Sequence, residues 1–348
     1  MAMNVMTDAD ARTALSEELA KYNSRVAQPD DPPLFTREPN STMQACHWRS
    51  ADLMTLLDKI GAALKLERGG TRRTLRLTNP GLPYGTTPTF WASIQYIRPG
   101  EIADAHRHTA TALRFVMQGD GTDTIVDGDQ YFMNENDLVL TPSWTWHDHE
   151  HKGDKPMIWL DVLDISLVRS LHATFFEGSE TPRQQVNEVP DRSYRQFGSG
   201  IMRPMGSDAH QGPSPVLAYT WPRVEDAIMQ ASALEPNDFD DTFLEYQNPV
   251  TGGPALPTIG TAIQRLRPGF KGKPHKHTGS VVYYVVRGSG RSVMGDKTFD
   301  WARGDFLALP PWMAHSHANA SDKDDAILFQ VNDIPVLKAL GLYREEAA

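Results

Sequence analysis

The sequence is poor in cysteine and in long apolar runs. Cys46 is the only cysteine among the 348 residues, so no disulfide can form within the chain, which fits a reducing compartment. The longest apolar stretches, such as residues 281–286, have the length of a strand and are much shorter than a membrane span. The first residues are acidic and lack a basic region followed by an apolar stretch and a cleavage site. We therefore expect a cytoplasmic protein without a membrane segment.

Positive charge is also scarce. Lysine and arginine number 34 against 44 aspartate and glutamate residues, which gives a net charge of −10. Such a chain repels phosphate backbones and anionic membrane surfaces, so neither nucleic acid nor membrane is expected as a partner. No glycine-rich nucleotide-binding fingerprint is present. The apolar content, 40% of residues, is ordinary and provides core for about two domains.

An internal repeat divides the chain into two related halves. Asn79-Pro80 recurs as Asn248-Pro249, an offset of 169 that becomes 168 after a one-residue deletion. Further matched pairs are Arg98-Pro99-Gly100 with Arg267-Pro268-Gly269, His106-Arg107-His108-Thr109 with His275-Lys276-His277-Thr278, and His147 and His149 with His315 and His317. A repeat of this length indicates a fold built from two copies of one unit.

Each copy has the pattern of short strands. Runs such as 112–117, 122–126 and 137–140 alternate with Gly, Pro and Asp, which is typical of a β-sandwich or barrel. Helical spacing lies outside the repeats, in residues 11–26 and 51–60, the second with Ser50 as predicted N-cap. The acidic segment 235–241 is expected to be solvated. The predicted organisation is a helical arm (1–78), a first barrel (79–168), a connecting segment (169–247) and a second barrel (248–348).

Histidines cluster at spacings suited to metal binding. His106 and His108 lie two apart in a predicted strand, so both side chains project to the same face. His147, His149 and His151 repeat this spacing beyond a glycine-rich hairpin that can fold them back against the first pair. Two histidines from one strand and one from the other form a facial triad, which leaves half of an octahedral shell open for substrate and dioxygen. At least one of the later three is then not a ligand.

Two segments resemble the cupin motifs. Residues 100–108 (GEIADAHRH) are similar to the first, and residues 136–147 (NDLVLTPSWTWH) to the second, with Asn136 where the family usually has Gly. The first motif normally continues to a Glu ligand, but Ala112 and Leu113 occupy those places. This loss is typical of bicupin ring-cleaving dioxygenases of gentisate, salicylate and 1-hydroxy-2-naphthoate. The chain resembles them along nearly its whole length, with similar segments RGGTRR (68–73), NPG (79–81), WASIQY (91–96), HRHTATALRF (106–115), WHDH (146–149) and WLD (159–161).

The resemblance implies a mostly β bicupin, two tandem jelly-roll barrels with a helical N-terminal arm, that holds Fe(II) through His106, His108 and His147. The substrate binds through its carboxylate and ortho-hydroxyl, and planar guanidinium groups suit a carboxylate. The remaining matched positions are Arg72 and Arg114 for the carboxylate, His149 as base for the hydroxyl proton, Trp91, Gln95 and Ser93 in the pocket wall, and Asp161 near the ring edge opposite the metal.

Structural alternatives remain open for several of these residues. Arg72 or Arg73 can instead pair with surface acids, Trp91 can belong to the ordinary core, and Asp161 can be a buried structural acid.

The repeat indicates which barrel performs the chemistry. Trp91, Arg114, Arg72 and Asp161 correspond to Gly260, Tyr283, Asp241 and Gln330 in the second copy, which therefore lacks the arginines that would grip a carboxylate. We expect catalysis in the first barrel. His275, His277 and His315 are either a second metal site or a relic of the duplication.

The leading functional hypothesis is Fe(II)-dependent ring cleavage by O₂ between the carboxyl- and hydroxyl-bearing carbons, converting gentisate to maleylpyruvate. Alternative substrates are salicylate, 5-nitro- or 5-halosalicylates and 1-hydroxy-2-naphthoate. Alternative functions are a non-oxidative decarboxylase or isomerase with Mn(II) or Zn(II), and a non-catalytic binding bicupin. Exposed sheet edges and the helical arm favour self-association, and the resembling enzymes are commonly tetramers, so we expect a homo-oligomer, a tetramer by this resemblance.

Overall fold

The computed structural model describes residues 8–27, 30–64, 73–207 and 212–348. The described residues up to 40 form a small unit of their own, and the described residues from 41 onward form one compact unit. The helices are α1 (Asp8–Ala20), α2 (Ser50–Ala63), α3 (Ile165–Ser170), α4 (Arg192–Phe197), α5 (Trp221–Ala231) and α6 (Ile334–Ala339). Among the described residues, no helix is both long and apolar enough to cross a membrane.

Strands dominate the compact unit. Those of the first half are β1 (Cys46–Trp48), β2 (Thr74–Arg76), β3 (Trp91–Ile97), β4 (Ile102–His108), β5 (Ala112–Gln118), β6 (Thr122–Val126), β7 (Asp129–Met133), β8 (Leu138–Thr141), β9 (His147–His151), β10 (Met157–Leu163) and β11 (Phe176–Gly178). Those of the second half are β12 (Ala218–Tyr219), β13 (Thr242–Glu245), β14 (Gly260–Leu266), β15 (His275–His277), β16 (Val281–Arg287), β17 (Ser289–Met294), β18 (Lys297–Ala302), β19 (Phe306–Leu309), β20 (His315–Asn319), β21 (Ala326–Asn332) and β22 (Glu345–Ala347).

Each half contains two facing sheets. The first half has the orders β12-β8-β5-β10-β3-β2 and β11-β4-β9-β6-β7, and the second has β1-β19-β16-β21-β14-β13 and β18-β17-β20-β15-β22. The strand register confirms the repeat. Asp161 pairs with Arg114 and Ser93 on its two sides. Its equivalent in the second half, Gln330, pairs with the equivalent residues Tyr283 and Ala262. The predicted mostly β architecture of two tandem barrels is confirmed.

The two halves exchange their edge strands. β1 precedes the first barrel but pairs with β19 of the second, and β12 precedes the second barrel but pairs with β8 of the first. Each exchanged strand covers a sheet edge that would otherwise offer unpaired N–H and C=O groups. The structural repeat is thus longer than the repeat visible in the sequence. The domain boundaries drawn from the sequence stay a prediction.

The helices that follow these exchanged strands are capped by the opposite barrel. The prediction of Ser50 as N-cap is wrong: Arg49 holds that position without a side-chain cap, and Ser50 is the first helical residue. The Asp305 carboxylate accepts the Ser50 N–H at 2.7 Å. Asp137 accepts the N–H of Trp221 in α5 at the same distance. An anionic acceptor at a helix N-terminus is stabilising. For α2 this acceptor lies 255 residues away in sequence, so local sequence patterns cannot reveal it.

Three apolar clusters form the core, one inside each barrel and one between them. The cluster between the barrels contains the faces of β5 and β16 that point away from the barrel interiors. Phe115 stacks there on Phe329, with ring centroids 4.0 Å apart. Because side chains alternate along a strand, the neighbours of Phe115 point into the first barrel, as Val116 does within the interior cluster.

The acidic segment 235–241 is only partly solvated, contrary to the prediction. Asp241 is buried, and its carboxylate accepts the backbone N–H of Arg267 at 2.6 Å and lies 3.0 Å from the Arg267 guanidinium. The arginine replaces the hydrogen bonds that water would otherwise make to this carboxylate.

Two buried aspartates join the halves reciprocally. Asp164 accepts a hydrogen bond from the Thr258 hydroxyl at 2.6 Å, and Asp333 accepts one from the Thr89 hydroxyl at 2.8 Å. Asp164 also accepts the Thr111 N–H at 2.7 Å. Burial raises the pKa of Asp164 to about 6 despite these donors.

We expect Asp164→Asn to reduce the loss of stability between pH 4 and pH 7. The folded-state pKa of Asp164, about 6, exceeds its unfolded value of 3.8, so its contribution is complete below pH 4 and is lost as pH rises through 6. Two pKa units correspond to about 3 kcal/mol. Asparagine is neutral throughout and retains a donor and an acceptor. Urea unfolding of both proteins at pH 4 and 7 tests this, and an equal pH dependence would contradict it.

Candidate metal centre and active site

Three histidines meet inside the first barrel. His106 and His108 lie on β4, and His147 lies on β9 directly opposite His106 in the antiparallel register. The return of the chain begins at the turn between β5 and β6, where Gly119 and Gly121 have φ of 96° and 83°, a conformation that favours glycine. The predicted folding of the second histidine cluster against the first is thus observed.

Backbone carbonyls orient all three imidazoles. Nδ1 of His106 donates to the Asp104 carbonyl at 3.0 Å, Nδ1 of His108 to Ala110 at 2.7 Å, and Nδ1 of His147 to Thr145 at 3.0 Å. Since a carbonyl only accepts, each neutral ring carries its proton on Nδ1 and presents an Nε2 lone pair. One nitrogen from each ring lies within 4.8 Å of the others. The set therefore fits a metal ion.

His147 is the most deeply placed of the three. It is completely buried, and its Nε2 makes no hydrogen bond within the described part of the chain. Burial lowers the pKa of His147 well below its ordinary value, and the positive charge of Arg114 and the other two imidazoles act in the same direction. The ring is therefore neutral near pH 7, which is the form that binds metals.

The opposite sheet contributes the predicted carboxylate-binding arginine. Arg114 lies on β5 between Leu113 and Phe115, which pack between the barrels, so its side chain points into the first barrel. It is 2% exposed. Its guanidinium donates to the Thr141 hydroxyl, and its Nε lies 3.7 Å from Asp161 Oδ1. Burial lowers the pKa of Arg114 while Asp161 opposes that shift, and the guanidinium remains charged because arginine starts so far above neutrality.

The predicted base is buried in the same interior. His149 follows His147 by two residues on β9, and its Nδ1 contacts the Thr124 hydroxyl of β6. Its ring centroid lies 6.4 Å from that of His147 and 5.4 Å from that of Trp159. His151 cannot share this role, because Thr122 and the Lys155 carbonyl engage its two nitrogens.

The predicted pocket residues share one wall. Ser93 and Gln95 are buried on β3, and the Ser93 hydroxyl donates to the Asp161 carbonyl at 3.2 Å. Trp91 begins the same strand and is only partly buried, with Arg76 over its ring at 5.2 Å. Alternation along β3 places all three on the face of Arg114.

The two arginines considered together in the sequence differ. Arg72 lies outside the described residues, so its predicted role stays a prediction. Arg73 is buried and pairs with Glu101, and its guanidinium lies 5.4 Å from the Tyr96 ring. The structural alternative therefore applies to Arg73.

Sequence reasoning missed three residues that touch the site. Thr141 and Thr124 hold Arg114 and His149, and the Phe176 ring lies 5.5 Å from that of His106. Both threonine contacts depend on which strands are neighbours and in which register, for which the sequence has no local signal. Phe176 lies on β11, which pairs with β4.

Comparison with known proteins agrees with this geometry. A cupin-domain family model matches residues 93–163 and 262–332. The chain is 36% identical to a 5-aminosalicylate 1,2-dioxygenase from Comamonas, covering 98% of this chain and 91% of that protein. It is 40% identical to a gentisate 1,2-dioxygenase from Streptomyces, covering 85% and 84%.

Among solved structures, the salicylate 1,2-dioxygenase from Pseudaminobacter salicylatoxidans superposes with a TM-score of 0.89 at 31% identity, covering 98% of this chain and 99% of that one. That enzyme has also been solved as adducts with gentisate. The chain therefore belongs to the bicupin family of ring-cleaving 1,2-dioxygenases of gentisate, salicylate and 1-hydroxy-2-naphthoate.

Proposed function

We propose that the first barrel uses Fe(II) to cleave a 2-hydroxybenzoate between its carboxyl- and hydroxyl-bearing carbons, and that gentisate is the substrate. The observation that carries the proposal is the enclosure of three convergent imidazoles and a buried, charged arginine within one barrel. Both atoms of O₂ enter the product, maleylpyruvate, so the reaction needs no external reductant. The relatives described above are ring-cleaving dioxygenases, which argues against the decarboxylase, isomerase and non-catalytic alternatives.

The ligand set suits Fe(II). His106, His108 and His147 would hold it through Nε2, and three nitrogen ligands without a carboxylate leave the remaining positions to substrate and O₂. A metal held by these three histidines would supply a redox-active centre for the reaction of the aromatic ring with O₂.

Arg114 binds and orients the substrate carboxylate in this account. Its guanidinium can make two parallel hydrogen bonds to a carboxylate, which fixes the plane of the attached ring. Thr141 and Asp161 hold the guanidinium in place, and the surrounding burial keeps water from competing for it. Arg72, which matches a carboxylate-binding position by sequence, is proposed as a second arginine for the same carboxylate.

His149 accepts the proton of the ortho-hydroxyl. A neutral imidazole has one unprotonated ring nitrogen, which can accept the proton of a phenol. Thr124 fixes the orientation of this ring through Nδ1. Thr124 is therefore a positioning residue.

We expect Thr124→Val to lower kcat about fivefold with little change in KM, since one hydrogen bond contributes about 1 kcal/mol. Thr124→Ser retains the hydroxyl and should restore kcat to within about twofold of the wild type. Steady-state oxygen consumption measures both. Equal loss in the two variants would show that Thr124 acts through packing instead.

Ser93, Gln95 and Trp91 are proposed to form the ring-binding wall, with Asp161 at its edge. Ser93 is the smallest of them, and a small polar residue there would suit the 5-hydroxyl of gentisate. Salicylate and 5-nitro- or 5-halosalicylates remain the alternative substrates.

Oxygen uptake by the Fe(II)-loaded protein tests the proposal. Gentisate, salicylate, 5-nitrosalicylate and 1-hydroxy-2-naphthoate are compared, with 3-hydroxybenzoate, which lacks the ortho-hydroxyl, as control. We expect the highest kcat/KM for gentisate and no uptake with the control. A higher kcat/KM for another ortho-hydroxy acid would identify that acid as the preferred substrate instead of gentisate. Absence of oxygen uptake with all of them would contradict the proposal.

We also propose a homotetramer, on the basis of exposed sheet edges and the common state of the resembling enzymes. Light scattering coupled to gel filtration measures it, and a mass near four times 38.8 kDa is expected.

A further inference from the structure

The chain after β11 crosses the outer face of the sheet that carries the three histidines of the first barrel. Residues 179–187 are named the crossing segment here. The Gln184 N–H donates to the Asp148 carboxylate of β9 at 3.0 Å, and the Gln184 side-chain amide donates to the Ile125 carbonyl of β6 at 2.9 Å. The crossing segment is therefore bonded to the strands that carry the proposed base and its positioning threonine.

The crossing segment also binds an irregularity in β4. Between Ala103 and His106 the register advances three residues on β4 but only two on β9, so β4 contains a β-bulge. A bulge leaves an extra residue unpaired in the ladder and bends its strand. The Ala105 N–H donates to the Pro182 carbonyl at 2.9 Å, and the Ser179 N–H donates to the Ala105 carbonyl at 2.9 Å. Both backbone groups of the residue before His106 are thus bound by the crossing segment.

Arg183 anchors the crossing segment through three ion pairs. Its guanidinium lies 2.7 Å from Asp148, 2.9 Å from Asp123 and 2.9 Å from Glu150. The side chains of Asp123 and Asp148 are completely buried, and that of Arg183 is 19% exposed. Lys152 also approaches Asp123 and Glu150, but it is more than half exposed. Because Asp123 lies on β6 and Asp148 on β9, one buried cation ties the two strands together.

Stability alone does not account for this buried cluster. The second barrel builds the same sheet with an exposed arginine and two small residues at the equivalent register positions, which are Arg291, Ser316 and Ala318. Buried ion pairs can often be replaced by uncharged residues without loss of stability. The charges of the first barrel therefore need an explanation other than the fold.

The two barrels differ in how closely their histidines approach one another. The second barrel has histidines at the three equivalent positions, His275, His277 and His315. Within the described part of the chain, only the first set brings its ligand atoms within 4.8 Å of one another. The two rings of the first-motif pair are 5.4 Å apart on β4 and 5.9 Å apart on β15. Close approach therefore accompanies the crossing segment and its buried charges.

We propose that Arg183 is a positioning residue for the metal centre of the first barrel. Through Asp123 and Asp148 it holds β6 against β9, and the segment that it anchors holds the bulge before His106. Arg183 acts from the outer face of the sheet, through the strands, and not by contact with metal or substrate. The inference rests on the proposed function in one respect, that the three imidazoles bind a metal.

Zinc affinity tests the proposal without involving the reaction. Chelator-stripped protein competes with a chromophoric chelator for Zn²⁺. We expect Arg183→Ala to weaken Zn²⁺ binding about tenfold to 100-fold, the range found when residues that orient metal ligands are altered. In the Fe(II)-loaded protein, kcat for gentisate should fall by a similar factor. KM should stay within about twofold, because Arg114 binds the carboxylate from the opposite sheet.

Two further variants distinguish positioning from a general loss of stability. Arg183→Lys keeps the positive charge but not the forked geometry, so its zinc affinity should lie between those of the wild type and Arg183→Ala. The matched control, Arg291→Ala, breaks an exposed pair with Asp300 on the equivalent strand of the second barrel and should keep the wild-type affinity. Thermal unfolding confirms that each variant is folded.

Wild-type zinc affinity in folded Arg183→Ala would overturn the inference. If Arg183→Ala does not fold, Arg183→Lys decides, and wild-type affinity in that variant would overturn it equally. Reduced zinc affinity in these variants, together with no oxygen uptake by the wild type, would support the positioning role and contradict the proposed reaction. Unchanged affinity with wild-type oxygen uptake would do the reverse.

Discussion

The His106→Ala variant should lose turnover by at least about 10³-fold, whereas His275→Ala should lose less than about tenfold. Two remaining imidazoles hold a first-row metal poorly, and His106 faces His147 directly across β4 and β9. His275 occupies the equivalent place in the barrel that has Tyr283 instead of Arg114. The difference follows from the position of the arginine, because a metal without a carboxylate anchor has no means to orient the substrate.

Oxygen consumption and iron content are measured together for both variants, with His172→Asn as the control for loss of an imidazole. The iron content distinguishes a variant that has lost its metal from one that retains the metal but has lost activity. The opposite order of activities, with His275→Ala inactive and His106→Ala active, would place catalysis in the second barrel and refute the account of the first.

Arg114→Lys should lower kcat/KM for gentisate about 100-fold. A hydrogen bond to a charged group contributes about 1.5–3 kcal/mol, and lysine cannot reproduce the two parallel hydrogen bonds of a guanidinium. The positive charge remains beside Asp161, so the variant avoids leaving a buried carboxylate without compensation. The lower kcat/KM is therefore expected from the loss of the two parallel hydrogen bonds more than from a loss of charge.

The matched control is Arg291→Lys, which alters an exposed pair with Asp300, and exposed pairs contribute little. It should leave kcat/KM within about twofold of the wild type. A thermal unfolding curve for each protein distinguishes lost binding from lost stability. If Arg114→Lys keeps kcat/KM within about threefold, Arg114 serves only to balance Asp161.

The sequence was most informative where spacing and strand geometry coincide. His106 and His108 share a face because they are two residues apart, and the glycine-rich hairpin predicted that His147 folds back against them. The internal repeat, at an offset of 169 residues, also predicted the two barrels. These features depend on local alternation and on the repeat itself, which a single sequence contains.

The features that sequence reasoning missed all depend on long-range register. Asp305 caps α2 from the opposite barrel, and β1 pairs with a strand about 260 residues away. Arg73 matched the same arginine-rich segment as Arg72 but is paired with Glu101. Thr124 became visible as a partner of His149 only when β6 and β9 were found side by side. No local pattern specifies such pairs, because a one-residue shift in register would change every partner.

The most direct test of the central claim is the fate of isotopically labelled oxygen. The Fe(II)-loaded protein is mixed with gentisate under ¹⁸O₂, and the mass of the product is measured by mass spectrometry. The reaction is quenched at once, because the keto oxygen of the product exchanges with water. Ring cleavage by a dioxygenase predicts the incorporation of two ¹⁸O atoms and a gain of four mass units over the product formed under ¹⁶O₂. Incorporation of only one labelled atom under rapid quench, or none, would contradict it.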